Sequence, residues 1–288
     1  MGYNWHKLKM RKHLFVLSTL VLFALSSCTK FAGDPVSQDF NIDGSYTELE
    51  VENGFDVTVS DVATAITITA GENVMPKVIV ERVGNKLRIH LKPMASSYGS
   101  EMKVILPYNA DLTSVDLSGA SEFHSEHGLD GEKIEVDLSG ASSFDCSISA
   151  DELEIDLSGA SEFIGGIYAD EIDMDLSGAS NIKGEVSAID LDIELSGGSE
   201  ATLEGEVDKL EINLSGASSI MKKVVGSRYA LVCDRCEGSM SGASNAYIHC
   251  DGSIKVSLSG GSELHYTGDA TTTGSDCTGG SEVSHDVP

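Results

Sequence analysis

Residues 152–161 read Glu-Leu-Glu-Ile-Asp-Leu-Ser-Gly-Ala-Ser, and variants of this stretch recur along the chain. The tetrapeptide Ser-Gly-Ala/Gly-Ser begins at Ser118, Ser139, Ser158, Ser177, Ser196, Ser215, Ser241 and Ser259, with a ninth, related copy at Thr278. Five of the eight intervals are 19 residues long, and one of 26 residues contains an insertion. A repeat of fixed period is typical of a solenoid, in which each unit stacks on the next.

Apolar and polar residues alternate on the approach to each tetrapeptide. In one repeat Leu153, Ile155 and Leu157 are apolar, whereas Glu154 and Asp156 between them are acidic. Alternation with a period of two indicates a half-buried β-strand and not a helix. The sequence therefore predicts an all-β fold, a right-handed parallel β-helix (β-solenoid) with coils of about 19 residues.

The tetrapeptide is expected to form the bend of each coil. Its second residue is always Gly, which suits a bend that needs a positive φ angle. The third residue is Ala or Gly, and we expect it at an inside corner with no room for more than a methyl group. The serines are interpreted as structural, because a nucleophile repeated in every coil has no base recurring beside it.

The N-terminus has the features of an export signal. A basic segment precedes the apolar run 14–25, and Leu25-Ser26-Ser27-Cys28 resembles a bacterial lipobox. The resemblance implies a signal peptide over residues 1–27 and lipidation of Cys28. Two alternatives are an ordinary cleaved signal with an incidental Cys and an uncleaved anchor. Residues 28–44 would then be the lipidated Cys and a tether to the membrane.

The remainder, residues 45–288, is predicted to be one solenoid. Residues 111–288 contain the regular repeats, and 45–110 form a less regular β-rich portion that would close the first coil. Six short runs with strand character fall within that portion, separated by turns at Asn53-Gly54 and Gly84-Asn85.

Charge disfavours one class of partner. The chain has 19 Lys and Arg against 46 Asp and Glu, a net charge of −27. Nucleic acid is therefore not expected as a partner, because both molecules are polyanions. Apolar residues make up 41% of the chain, which is sufficient for a sizeable core.

The most conspicuous chemical feature is a column of carboxylates at the residue two places before each tetrapeptide. It contains Asp116, Asp137, Asp156, Asp175 and Glu194, which would stand about 4.8 Å apart on adjacent coils. Ca²⁺ accepts irregular oxygen coordination, so Asp137, Asp156, Asp175 and Glu194 are candidate ligands. The Gly-Gly-x-Gly-x-Asp nonapeptide of calcium-binding β-helices is absent, and a solvated acidic face is the favoured interpretation. No other cofactor is expected.

Three further groups of residues suggest binding sites. A mixed column that begins at Glu122 and Ser143 could bind a glycan, although only Tyr168, Tyr229, Tyr247 and Tyr266 offer rings for stacking. His124 and His127 have a spacing that could serve a metal, but no third ligand is evident. The 26-residue interval contains a group of basic residues: Lys222, Lys223, Arg228 and Arg235. We interpret it as an insertion loop, and the alternative is a site for an anion or a partner.

Five cysteines remain besides Cys28. Cys236 and Cys277 fall in apolar columns, so buried thiols are expected, with a disulfide among Cys233, Cys236 and Cys250 as the alternative.

Two further stretches, residues 51–59 (Val-Glu-Asn-Gly-Phe-Asp-Val-Thr-Val) and 84–89 (Gly-Asn-Lys-Leu-Arg-Ile), together with the Leu-Ser-Gly-Ala-Ser series, resemble the putative auto-transporter adhesin, head GIN domain family. The resemblance covers residues 45–288 and implies an exported bacterial β-solenoid, often a lipoprotein, with no catalytic residues to transfer.

The leading hypothesis is a non-enzymatic lipoprotein of the bacterial cell envelope, at the outer membrane, that acts as an adhesin or scaffold. Its partners would be the membrane, through the lipid, and a glycan or protein at the cell surface. The alternatives are a carbohydrate-active β-helix enzyme, a polysaccharide lyase or hydrolase, and a purely structural envelope protein.

Overall fold

The computed structural model describes residues 32–221 and 231–286. These residues form a short 3₁₀-helix, Met75–Lys77, and 23 strands. The strands are β1 Pro35–Phe40, β2 Glu48–Val51, β3 Asp56–Ser60, β4 Ile66–Gly71, β5 Val78–Val83, β6 Lys86–Leu91, β7 Lys103–Pro107, β8 Ser114–Leu117, β9 Glu122–His124, β10 Leu129–Leu138, β11 Ser143–Asp145, β12 Ile148–Leu157, β13 Glu162–Ile164, β14 Ile167–Tyr168, β15 Glu171–Leu176, β16 Asn181–Leu195, β17 Glu200–Leu214, β18 Ser219–Ile220, β19 Leu231–Met240, β20 Asn245–Leu258, β21 Glu263–Thr267, β22 Thr271–Thr272 and β23 Glu282–His285.

The regular repeats form a β-solenoid, as the sequence predicts. From β8 onward each strand pairs in parallel with the equivalent strand of the next coil, and equivalent repeat positions are register partners. Leu117 pairs with Leu138, and Leu138 pairs with Leu157. The 19-residue period of the sequence is therefore the length of one coil.

The core is a set of apolar columns inside the coils. Phe123, Phe144 and Phe163 are buried and stack on one another, with ring centroids 5.2 and 5.0 Å apart. The strand before each bend contributes the residues one, three and five places before the tetrapeptide, which are buried in the coils that lead to Ser139, Ser158, Ser177, Ser196, Ser215 and Ser259. Full burial of one such side chain contributes roughly 1.5–3 kcal/mol, so the columns are the main source of stability.

The bend supports the predicted role of the glycine and corrects the predicted role of its neighbour. Gly159 and its equivalents have φ angles of 68–78°, as expected. The third residue, however, is exposed and does not form an inside corner. The inward position belongs to the fourth residue. Ser180, for example, is buried, and its hydroxyl donates to the carbonyl oxygen of Ser177 at 2.8 Å and of Leu157 in the preceding coil at 3.3 Å.

The N-terminal portion stacks in an order that differs from the chain order. β2 pairs with β6 on one edge and with β8 on the other, and β3 lies between β7 and β9 in the same way. The coil 86–107 therefore lies outside the coil 48–60. Three antiparallel strands complete this end: β5 pairs with β6, β4 with β7, and β1 with β4. Residues 35–40, predicted to belong to a tether, are thus a strand of the cap.

The cysteines are free thiols in the described residues. Cys146, Cys233, Cys236 and Cys250 are buried, which agrees with the favoured expectation. The expectation for Cys277 is wrong: it forms an isolated parallel bridge with Leu258 in the predicted column, yet it is exposed. No further described coil covers this last coil, so its inward position stays open to solvent.

The role of glycine in the bend can be tested with alanine substitutions at two adjacent glycines. Gly197→Ala would place a Cβ 2.6 Å from the carbonyl oxygen of Gly178 at a φ of 73°. We expect it to lower the free energy of unfolding by at least about 2 kcal/mol, because an L-residue there is strained by roughly 1–2 kcal/mol before the clash is counted. Gly198→Ala, whose Cβ has its nearest neighbour at 3.8 Å, should change it by less than about 0.5 kcal/mol. Urea denaturation measures both, and equal losses would contradict this account of the bend.

Candidate functional site

Two rows of carboxylates run along the outer surface of the strands that precede the bends. The register places the members of each row on successive coils. We call them together the acidic face. The first row contains Glu50, Asp116, Asp137, Asp156, Asp175 and Glu194, and the second contains Glu135, Glu154, Asp173, Asp192, Glu211 and Glu237.

The first row has a defined beginning and end. At the N-terminal end Glu50 is the register partner of Arg88, and their side chains form an ion pair of 2.6 Å. At the other end Glu194 is followed by Asn213 and then Ser239. The column of acids predicted from the repeats is therefore one member longer than expected, because Glu50 lies outside the repeats and joins through the stacking of β2 on β8.

Lysines neutralise part of the second row. Lys133 contacts Glu135 at 3.0 Å and Glu154 of the next coil at 3.2 Å. Lys209 bridges Glu211 and Glu237 in the same manner, at 3.2 and 3.4 Å. Each lysine offsets the repulsion between two stacked carboxylates.

In the first row, by contrast, the predicted candidates form no ion pair with any described residue. Among residues 32–221 and 231–286, none of Asp137, Asp156, Asp175 and Glu194 forms an ion pair. In the portion of the chain that the structure describes, this stretch of the row is therefore a strip of negative charge without ion pairs.

A shallow groove of about 190 Å³ follows this strip at the start of the bends. Asp137, Asp156 and Asp175 line it. Partial burial raises the pKa of Asp137, with Asp116 and Glu135 adding to the effect. The pKa of Asp156 is raised for the same reason, reinforced by Asp137, Glu154 and Asp175. Asp137 and Asp156 therefore hold protons more tightly than isolated carboxylates do.

The candidates for Ca²⁺ stand side by side, one on each coil. Within the described part of the chain, no three His, Cys, Asp or Glu side chains converge closely enough to hold a metal ion. The acidic face is thus suited to attract a diffuse layer of cations along its length.

Asp192 has the most perturbed environment on the acidic face. It lies between Asp173 and Glu211 in the second row, and its Oδ1 atom is buried without a hydrogen-bond partner among the described residues. Burial raises the pKa of Asp192 to about 6, with Glu211 and Asp173 adding to the effect. The alternation of the sequence gave no sign of this, because Asp192 occupies the same repeat position as its neighbours.

The other predicted residues do not assemble into one site. Tyr247 stacks on His265 at 4.7 Å, Tyr266 is buried, and Tyr168 lies on a different coil, so these rings form no common platform. His124 contacts Asp145, whereas the ring of His127 packs against that of Tyr108 at a tilt of 44°. Several predicted features lie outside the described residues: the predicted signal 1–27, Cys28, Lys222, Lys223, Arg228 and Tyr229.

Comparison with known families identifies this architecture. The model of the putative auto-transporter adhesin, head GIN domain family matches residues 45–185 and 162–270. The chain belongs to this family. The resemblance inferred from the repeats and from the stretches 51–59 and 84–89 is confirmed. The first match begins within the irregular portion, so the coil 48–60 and the cap strands β4 to β7 are part of the head GIN domain.

Solved structures share the head GIN fold. A putative adhesin from Parabacteroides distasonis superposes with a TM-score of 0.63 at 16% identity, covering 88% of this chain and 98% of its own. A putative adhesin from Parabacteroides merdae gives 0.62 at 18% identity, covering 88% and 97%. A protein from Parabacteroides distasonis described as a putative lipid binding protein gives 0.58 at 18% identity, covering 88% and 98%. At these identities the similarity establishes the fold alone.

No match is found among curated proteins. In the described residues of this head GIN chain, no helix has the length and apolar character needed to cross a bilayer.

The strip on the acidic face predicts how the head GIN chain responds to divalent cations. We expect Ca²⁺ and Mg²⁺ at equal millimolar concentration to raise the thermal midpoint of the purified protein by the same amount, because both screen a row of charges. Asp156→Asn should reduce both rises equally and slightly. A rise with Ca²⁺ that clearly exceeds the rise with Mg²⁺ would instead indicate a specific calcium site.

Asp192 generates a pH-dependent prediction. Its pKa is about 6 in the folded chain and about 3.9 in the unfolded chain, so the stabilisation from protonation is complete below pH 4 and lost as the pH rises through 6. Asp192→Asn should therefore increase the free energy of unfolding at pH 7.5, by about 1 kcal/mol after solvent screening reduces the full effect. The gain should disappear near pH 4. Asp190→Asn, which removes an exposed charge beside it, should show no such crossover in urea titrations.

Proposed function

We propose that this chain is a non-enzymatic, lipid-anchored protein of the bacterial cell envelope whose solenoid acts as a rigid adhesive surface. The observation that carries the proposal is the unbroken register of the coils, which repeats the same outward groups from Asp116 to Glu194. A surface of repeated groups suits binding through many weak contacts, whose combined strength exceeds that of any one contact.

Membership in a putative adhesin family supports this function and indicates a surface or envelope protein. The repeats also argue against a catalytic role for the acidic face. Catalysis requires one geometry with distinct acid and base roles, whereas the carboxylates of the first row are equivalent from coil to coil. A surface protein that only binds a partner does not need one carboxylate to differ from the others.

Attachment through Cys28 completes the proposal. Acyl chains on its thiol would contribute about 0.8 kcal/mol for each buried methylene, enough to hold a soluble solenoid at a membrane when two or more chains are present. Residues 29–34 would link the lipid to β1, and we place the protein at the outer membrane. The partner would be a glycan or a protein at the surface of a neighbouring cell.

A labelling and adhesion experiment tests the proposal. The full chain with its signal is expressed in a bacterial host and labelled with an alkyne fatty acid, and whole cells are then applied to immobilised mucin. We expect label in the wild-type protein and several-fold more bound cells than in a strain without the protein. Cys28→Ser should lose both the label and the adhesion, because the protein is no longer held at the surface.

Cys277→Ser serves as the matched control, since Cys277 is an exposed thiol outside the signal. It should retain the label and the adhesion. Full labelling of Cys28→Ser would contradict the anchor, and cleavage of a polysaccharide by the purified protein would favour the enzyme alternative.

A further inference from the structure

A pocket of about 290 Å³ lies in the N-terminal cap. It is bounded by the end of β1, the connection 41–46, the start of β4 and the residues after β7. Antiparallel pairing places Phe40 opposite Ile66, and the pairing of β4 with β7 brings the segment 107–109 alongside. Residues far apart in sequence therefore converge in this one pocket.

The walls of the pocket are held in place by defined contacts. The side-chain amide of Asn109 donates to the carbonyl oxygen of Tyr46 at 2.8 Å, and its Oδ1 accepts from the backbone N–H of Asp111 at 3.0 Å. The backbone N–H of Tyr108 donates to the carbonyl oxygen of Ser60 at 3.0 Å, and its ring packs against His127 at 4.8 Å. A pocket whose walls are fixed before binding loses less entropy when a ligand enters.

The lining combines aromatic rings with neutral polar groups. Phe40, Tyr46 and Tyr108 provide the rings, and Asn41, Ser45 and Thr64 provide amide and hydroxyl groups. Burial raises the pKa of Tyr46 to about 12, so its phenol stays neutral and can both donate and accept a hydrogen bond.

The pocket is uncharged in a strongly charged protein. None of the described residues that line it is Asp, Glu, Lys, Arg or His, although the chain contains 46 acidic residues. Other cavities differ in this respect. A cavity of about 240 Å³ beside Asp192 includes Asp173 and Lys209, and one of about 520 Å³ near β1 includes Glu101 and Lys103. The side chains that line the pocket offer an ionic ligand no counter-charge, and the guanidinium of Arg82, which approaches Gly44, already donates to the carbonyl oxygens of Asp43 and Gly84. The lining therefore favours an uncharged ligand.

The mixed lining also restricts the class of neutral ligand. A lipid tail would cover the rings but leave the amide and hydroxyl groups without partners, which costs roughly 1–3 kcal/mol for each buried group. A sugar ring presents apolar C–H faces to aromatic side chains and hydroxyls to polar ones. The volume lies just below the roughly 300–1,000 Å³ of small-molecule sites, which fits the end of a glycan chain better than a long segment of it.

We propose that this neutral pocket binds a terminal, uncharged sugar residue of a glycan. The inference rests on the proposed adhesive function, because it names the class of ligand that the adhesin recognises. It places one specific sugar site in the cap, in addition to the repeated weak contacts proposed for the acidic face.

Direct titration tests the pocket separately from adhesion. The purified full chain in detergent is titrated with neutral oligosaccharides that end in a hexose, an N-acetylhexosamine or a deoxyhexose, and with sialylated and sulfated counterparts. We expect binding of a neutral oligosaccharide only. Tyr108→Ala and Asn41→Ala should each weaken it about tenfold, whereas Tyr108→Phe, which keeps the ring, should stay within about threefold.

The matched control is Tyr98→Ala, which removes another exposed tyrosine outside the pocket and should leave the affinity unchanged. Unaltered thermal midpoints confirm that the variants fold. Adhesion of cells to mucin without binding of any neutral oligosaccharide would overturn the pocket and leave the adhesive function standing. Oligosaccharide binding without adhesion would overturn the adhesive function instead. Binding that Tyr108→Ala does not weaken, or binding of a fatty acid in place of a sugar, would also overturn the inference.

Discussion

Each regular coil depends on the close contact between its bend and the bend of the preceding coil. A Cβ on Gly178 would lie 2.5 Å from the carbonyl oxygen of Gly159, so only glycine allows the two backbones to approach. This close approach lets the backbone N–H of Ala179 donate to the same carbonyl oxygen at 2.7 Å. It also lets the inward-facing hydroxyl of Ser180 donate to a carbonyl oxygen of the preceding coil. The bend therefore fixes the coil spacing, and the strand register follows from it.

The same register that aligns the core also aligns like charges. Stacked carboxylates such as Asp137 and Asp156 repel each other by about 1 kcal/mol in water, and salt reduces this further. Each coil meanwhile buries several large side chains, including Leu153, Ile155 and Phe163, at roughly 1.5–3 kcal/mol each. Burial outweighs repulsion, so a surface of uncompensated charge can be maintained without unfolding the solenoid.

The regular coils could be predicted because each position recurs, and the alternation around Leu157 shows which side chains point inward. The repeat also predicted that Asp137 and Asp156 would lie next to each other on adjacent coils. The stacking order of the N-terminal coils could not be predicted, because nothing local shows that Glu50 would lie between Arg88 and Asp116. The neutral pocket was missed for the same reason: its rings meet only through antiparallel pairing across long sequence separations. The exposure of Cys277 was missed because a repeat pattern does not show where stacking stops.

The inverted order of the first coils has a consequence for how the chain folds. Leu49 pairs with Leu87 on one edge and Val115 on the other, so this coil joins segments far more distant than the 19 residues that separate regular coils. Closing such long loops costs more conformational entropy than closing the loop of a regular coil, so we expect this assembly to be slower than the addition of a regular coil. Once β8 and β9 are in place, every later coil needs only to pair with the edge just formed. Folding that begins at this end would then add the coils in the order in which the chain is synthesised.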